Sequence, residues 1–153
     1  MPNASDIMTR EPYTVSAEMT VRDLTLTLAE KNFSGAPVLD KDGHLIGVVT
    51  SSDLIYQRKK LHMPTVFTLF DAIIPLGGLH EVEEQMEKML GRNVADIMTP
   101  DPVTVTEETP MEEIATIMTE GHKHMIPVMK GETVVGVIDR WDVLRAIVRE
   151  EKE

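Results

Sequence analysis

The tetrapeptide Asp-Ile-Met-Thr occurs twice, at residues 6–9 and 96–99, and each copy opens a similar block of about fifty residues. An offset of 90 carries Asp6, Ile7, Met8, Thr9, Pro12, Thr14, Val15, Glu18, Glu30, Pro37 and Val38 onto Asp96, Ile97, Met98, Thr99, Pro102, Thr104, Val105, Glu108, Glu120, Pro127 and Val128. One residue is lost in the turn at 41–43, after which Gly47, Val48 and Asp53 recur as Gly136, Val137 and Asp142. A repeat of this kind is one supersecondary unit used twice. Two such units packed together create symmetric clefts in which a ligand can sit.

Each copy carries the same order of signals. An extended segment with a proline comes first (11–15 and 101–105), because the residue before proline avoids helical geometry. A helix follows, with Thr20-Val21-Arg22-Asp23 and Thr109-Pro110-Met111-Glu112 reading as capping boxes, the second with proline at the first helical position. Met111, Ile114, Ala115 and Met118 form one apolar face of that helix, and Val21, Leu24 and Leu28 form a similar stripe. Short apolar strands are expected at 36–39 and 45–49, and at 126–129 and 134–138, each pair joined by a glycine-containing turn. A helix starting near Ser51 or Arg140 closes the unit. The expected fold class is α/β (α+β): two β-α-β-β-α units related by a pseudo-two-fold axis. The first spans 1–57 with its N-terminal segment and the second spans 94–153. Between them, 58–93 is expected to be a partly helical insertion, because an unstructured connector of this length is unusual. Val82, Met86, Met89 and Leu90 would line one face of its helix.

Composition removes several function classes. The net charge of −11 argues against nucleic-acid and anionic-membrane partners, which need a basic footprint. There is no cysteine, so disulfides, thiolate metal sites and thiol nucleophiles are excluded. The most apolar run, 66–79, is broken by Asp71, Pro75, Gly77 and Gly78, and the N-terminus lacks a basic-then-apolar signal region. A cytoplasmic protein is expected. No nucleophile elbow, phosphate loop or His-Glu-x-x-His motif is present, so a non-enzymatic role is expected.

The Asp-Ile-Met-Thr openings, the Ala36-Pro37-Val38 and Ile126-Pro127-Val128 strands, and the segments Gly47-Val-Val-Thr-Ser-Ser-Asp53 and Gly136-Val-Ile-Asp-Arg-Trp-Asp142 together resemble a tandem pair of CBS domains, the module named after cystathionine β-synthase. The resemblance covers nearly the whole chain except 58–93. It implies a stand-alone regulatory module, often a homodimer, whose clefts bind an adenosine-containing ligand (AMP, ADP, ATP or S-adenosylmethionine). A regulated protein would read that state. The alternative is a ligand-free dimerisation or protein-interaction module.

The resemblance implies roles for particular residues. In Gly-h-h-Thr/Ser-x-x-Asp, where h is apolar, Asp53 would bond the ribose hydroxyls and Thr50 would meet phosphate, with Asp142 the counterpart of Asp53. The chemistry suits these roles. A carboxylate accepts two hydrogen bonds from a vicinal diol, and a helix start offers free N–H groups and a positive dipole end. The same four residues also make a capping box with no ligand at all. His124 matches a phosphate-facing histidine of the family, with Lys123 beside it. A metal reading of His122 and His124 lacks the third and fourth ligands a site needs. Thr14, Val15, Thr104 and Val105 match positions that meet adenine, and Ile126 completes the ligand-contact set.

The second copy departs from the pattern. Asp139 replaces the Thr or Ser, which is harmless for a helix cap. For a phosphate it is not: two unit charges about 4 Å apart repel by about 4 kcal/mol at an effective dielectric near 20. That cleft is thus expected to be empty, to take a nucleoside or sulfonium ligand, or to need Mg²⁺ between the anions. Trp141 and Tyr56 are expected to pack or to meet a second copy.

Overall fold

A computed structural model describes residues 1–61 and 92–152. The middle of the insertion, with the helix expected around Met86 and Leu90, lies outside the described residues. The first copy contains α1 (Ala4–Ile7), β1 (Thr9–Arg10), β2 (Val15–Ser16), α2 (Val21–Lys31), β3 (Gly35–Leu39), β4 (Leu45–Thr50) and α3 (Ser51–Leu61). The second repeats it as α4 (Val94–Ile97), β5 (Thr99–Pro100), β6 (Val105–Thr106), α5 (Met111–Glu120), β7 (Met125–Lys130), β8 (Thr133–Asp139) and α6 (Arg140–Glu151). The expected β-α-β-β-α order is present in both copies. Each also begins with a short helix and a two-residue strand that the sequence pattern did not assign.

Those opening elements are exchanged between the copies. One four-stranded sheet runs β1-β8-β7-β6 and the other runs β2-β3-β4-β5. Thus β1, from the first copy, pairs antiparallel with β8 of the second, Thr9 opposite Val137 and Arg10 opposite Gly136. Reciprocally, β5 pairs with β4, Thr99 opposite Val48 and Pro100 opposite Gly47. The side chains follow the strands. Ala4, Ile7 and Met8 enter the core built by Val105, Ile114, Ile126, Val128 and Ile138. Val94 and Ile97 enter the core built by Val21, Leu24, Leu28, Val38 and Val49.

Each residue of the repeated tetrapeptide has a place in this junction. Asp6 and Asp96 reach back to accept hydrogen bonds from the backbone N–H of Asn3 and Asn93, at 2.9 and 3.0 Å, which caps the four-residue helices α1 and α4. Ile7 and Ile97 are buried in the opposite copy's core. Met8 lies over Gly136 and Met98 over Gly47, where a Cβ would fall 2.5 and 2.7 Å from the sulfurs. Thr9 and Thr99 begin the crossing strands.

Two local expectations are corrected. Thr109-Pro110-Met111-Glu112 does not form a capping box: α5 starts at Met111 with Pro110 as its N-cap and no side-chain cap. The Thr109 hydroxyl instead accepts from the Thr106 N–H at 3.0 Å, closing the preceding turn. Thr20 does cap α2, accepting from the Asp23 N–H. Nor are the residues before Pro12 and Pro102 extended. Glu11 and Asp101 have φ of 50° and 48°, left-handed bends that turn the chain sharply between the crossing strand and the next one.

Candidate functional site

The two copies meet where β3 approaches β7, and a cleft opens on either side of that contact. Each cleft takes its floor from one copy and its wall from the other. In the first, Thr50, Ser52 and Asp53 at the β4–α3 junction face Thr99, Pro102 and Val103, with His122, Lys123 and His124 closing one end. In the second, Asp139 and Trp141 at the β8–α6 junction face Thr9, Pro12 and Tyr13, with Asn32, Phe33 and Ser34 at the corresponding end. The cavity volumes are about 200 and 340 Å³. Small-molecule sites commonly fall between about 300 and 1,000 Å³, so the first cleft lies below that range and the second within it.

The wall at 122–124 is set by the way α5 ends. His122 has φ of 52° and the Lys123 N–H donates to the Met118 carbonyl at 3.2 Å, a left-handed turn that reverses the chain into β7. Asn32 and the Phe33–Leu28 bond do the same after α2. Asparagine suits this conformation well. Histidine suits it less, and glycine removes the strain altogether. His122→Gly is therefore expected to stabilise the fold by about 0.5–1 kcal/mol while stripping an imidazole from the cleft. A higher melting temperature combined with weaker anion binding is the expected pair of readouts.

In the Thr50–Asp53 cleft, Asp53 Oδ2 accepts from the Thr50 N–H at 2.8 Å and from its hydroxyl at 3.2 Å. Capping and ligand binding are compatible here, because Oδ1 has no partner among the described residues. His124 supplies a second unused group. Its Nδ1 is buried with no hydrogen-bond partner, an arrangement that costs stability unless something fills the cleft beside it.

Asp142 is different from its counterpart. It is 7% exposed and both oxygens are engaged. Oδ2 accepts from the Asp139 N–H at 2.9 Å, and Oδ1 accepts from Arg145 at 2.6 Å and Thr9 at 3.5 Å. The Asp142 N–H donates back to Asp139 at 3.0 Å, completing a capping box. Burial, the largest influence, raises the Asp142 pKa above its ordinary 3.8, against the lowering effect of these hydrogen bonds. A raised carboxyl pKa means that the folded state holds its proton more tightly than the unfolded chain. Stability from this group therefore rises as pH falls through the raised pKa, and levels off below 3.8. The stability difference between the wild type and Asp142→Asn is expected to move in favour of the wild type between pH of about 7 and about 4, measured by urea denaturation.

Other expected site residues lie elsewhere. Val15, Val105 and Ile126 are buried core side chains. Thr104 and Val105 border a wider groove that also includes His44 and Glu132. Pro12-Tyr13 and Pro102-Val103, two residues earlier in each copy, line the clefts instead. His44 lies 3.6 Å from Asp40 and 3.2 Å from Glu132. Asp40, Asp42 and His44 are exposed, and among the described residues they form the one group of three whose metal-ligand atoms converge. Backbone N–H groups account for that geometry: Asp40 Oδ1 accepts from Asp42 and His44 at 2.9 and 2.8 Å, a side-chain-closed turn. The hydrogen bond from His44 is the largest of the effects that lower the Asp40 pKa.

A family model for the CBS domain matches residues 4–60 and 94–149. The chain belongs to the CBS-domain family. The two matched CBS segments bracket the insertion. The CBS protein CBSX2 of Arabidopsis thaliana is 28% identical over 146 residues, which cover 92% of this chain and 60% of CBSX2. Its structure, solved in complex with AMP, is 26% identical, aligns over 99% of both chains and gives a TM-score of 0.74. The protein MJ1426 of Methanocaldococcus jannaschii is 28% identical over 94% of this chain and 89% of its own length. The CBS pair of MJ0100, 19% identical with a TM-score of 0.71, shares the fold. No described helix is long and apolar enough to cross a membrane.

Proposed function

We propose that the chain is a non-enzymatic sensor that binds an adenosine phosphate in the Thr50–Asp53 cleft and passes the bound state to a partner. The observation that carries this reading is the set of unused groups meeting in one cleft. Among the described residues, Asp53 Oδ1 and the buried His124 Nδ1 lack partners, and Lys123 and the Thr50 and Ser52 hydroxyls stand beside them. A carboxylate suits a ribose diol, and lysine, imidazole and a helix start suit a phosphate. The AMP complex of CBSX2 supports the ligand class. Occupancy would change the angle between the copies, since cleft floor and wall belong to different ones, and a shift of this kind requires different affinities for two arrangements.

The readout we propose is a second copy of the chain. Helix α6 exposes Trp141, Leu144, Ile147 and Val148, and α3 exposes Ile55. Apolar residues grouped along two related helices are characteristic of an association surface. A cytoplasmic homodimer whose packing follows nucleotide is the resulting picture. Isothermal titration with AMP, ADP and ATP tests the binding. Saturable heat that disappears in Asp53→Ala supports the reading, and undiminished binding in that variant sinks it. If no adenosine phosphate binds, and dimerisation is lost in Leu144→Glu, the ligand-free interaction module takes its place.

A further inference from the structure

The two clefts are built by the same folding rule, yet their chemistry diverges position by position. Where the Asp53 cleft has Thr50 and Ser52, the other has Asp139 and Trp141. Where the first has His122, Lys123 and His124, the second has Asn32, Phe33 and Ser34. Three basic or ionisable groups are thus exchanged for none, a carboxylate replaces a hydroxyl at the helix start, and Glu11 adds another at the rim.

Two cations do border this second cleft, and both are engaged. Arg145 holds Asp142 Oδ1 at 2.6 Å, so its charge neutralises the buried carboxylate beneath it. The Lys31 ammonium sits 5.8 Å from the centroid of the Tyr13 ring, over the aromatic face. Tyr13 packs in turn on Phe33, centroids 5.9 Å apart, and Trp141 faces the same space. The resulting cavity has about 340 Å³, aromatic side chains on its walls and an aspartate where a phosphate would approach the helix start.

We infer that the Asp139 cleft takes a nucleoside without its phosphate, whereas the Asp53 cleft takes the phosphorylated form. The inference rests on the adenosine-ligand reading above and assigns the two clefts different members of that class. Flat aromatic walls suit a purine ring, and hydroxyl groups suit Asp139 as acceptor. A phosphate there would face Asp139 across the helix start, with the basic wall of the other cleft missing. One chain would then compare two ligand pools.

Trp141 makes this directly testable, because it is the sole tryptophan and borders the Asp139 cleft. Its emission should be followed in Asp53→Ala, where occupancy of the other cleft makes no contribution, during titration with adenosine and then with AMP. The expected result is a saturable shift with adenosine that AMP reproduces only at ten-fold or higher concentration. Adding Asp139→Thr, which retains a good helix cap, is expected to bring AMP within a few-fold of adenosine. The inference is overturned if AMP and adenosine act equally before that change, if neither moves Trp141, or if Asp139→Thr leaves the preference as it was. Binding of AMP at the Asp53 cleft is read separately by its heat in the wild type. Loss of that signal would count against the proposed function and leave the Trp141 result to stand alone.

Discussion

Asp53→Ala is expected to weaken AMP binding by about 100-fold or more while leaving the fold close to its wild-type stability. Hydrogen bonds to a charged group contribute about 1.5–3 kcal/mol each, and the ribose diol offers two. The same substitution removes a helix cap, because Asp53 accepts from the Thr50 N–H, and such a loss costs about 0.5–2 kcal/mol. A melting temperature lowered by only a few degrees, beside a titration without measurable AMP heat, is the expected pattern. Asp142→Ala should behave in the opposite way. Its carboxylate is buried and holds the Asp139 N–H, Arg145 and Thr9, so its removal leaves three donors without their acceptor. Arg145 is half exposed and rehydrates, which places the cost nearer about 2–3 kcal/mol than the figure for a fully buried pair. AMP affinity at the Asp53 cleft should change little.

The second large effect concerns the exchanged strands. A side chain at Gly136 would place its Cβ 2.5 Å from the Met8 sulfur and 3.0 Å from the Thr9 carbonyl oxygen. The sulfur can move; the carbonyl belongs to β1, which is held in the sheet against β8. Gly136→Val should therefore lift the crossing strand, at a cost of about 2–3 kcal/mol for overpacking and a fall of about 5–10 °C in melting temperature for a chain of this size. Gly47→Val should act alike through Met98 and the Thr99 carbonyl. Combining Gly136→Ala with Met8→Ala should cost less than the sum of the two single changes, because the added methyl occupies space that the shortened side chain vacates. Strict additivity would show that the close approach is not the cause.

These glycines mark the limit of what was legible in the sequence. The duplication, the strands and the helix faces of Val21, Leu24 and Leu28 or Met111, Ile114 and Met118 follow from periodicity, which is local. The exchange of β1 and β5 is not local. Two-residue strands carry no alternation to read, and nothing in Asp-Ile-Met-Thr says that its methionine will lie over a glycine of the other copy. The pairing of each helix start with the far copy's wall follows from that exchange, so the composition of the clefts was only partly visible. Thr50, Asp53 and His124 were identified through the motif and share one cleft. Tyr13, Phe33 and Trp141 were not grouped, because they come from three elements and only the fold brings them together. Asp139 was recognised as a departure from the first copy that still caps a helix, but the burial of Asp142 and its Thr9 contact come from the crossing strand.

The central claim is that unused polar groups in the Thr50–Asp53 cleft are the contacts of an adenosine phosphate, and a crystal structure grown with saturating AMP tests it most directly. The predicted result has the ribose hydroxyls on Asp53 and the phosphate between the start of α3, Lys123 and His124, with His124 Nδ1 no longer without a partner. An empty Asp53 cleft at saturating AMP, or AMP seated only against Asp139 and Trp141, would contradict it.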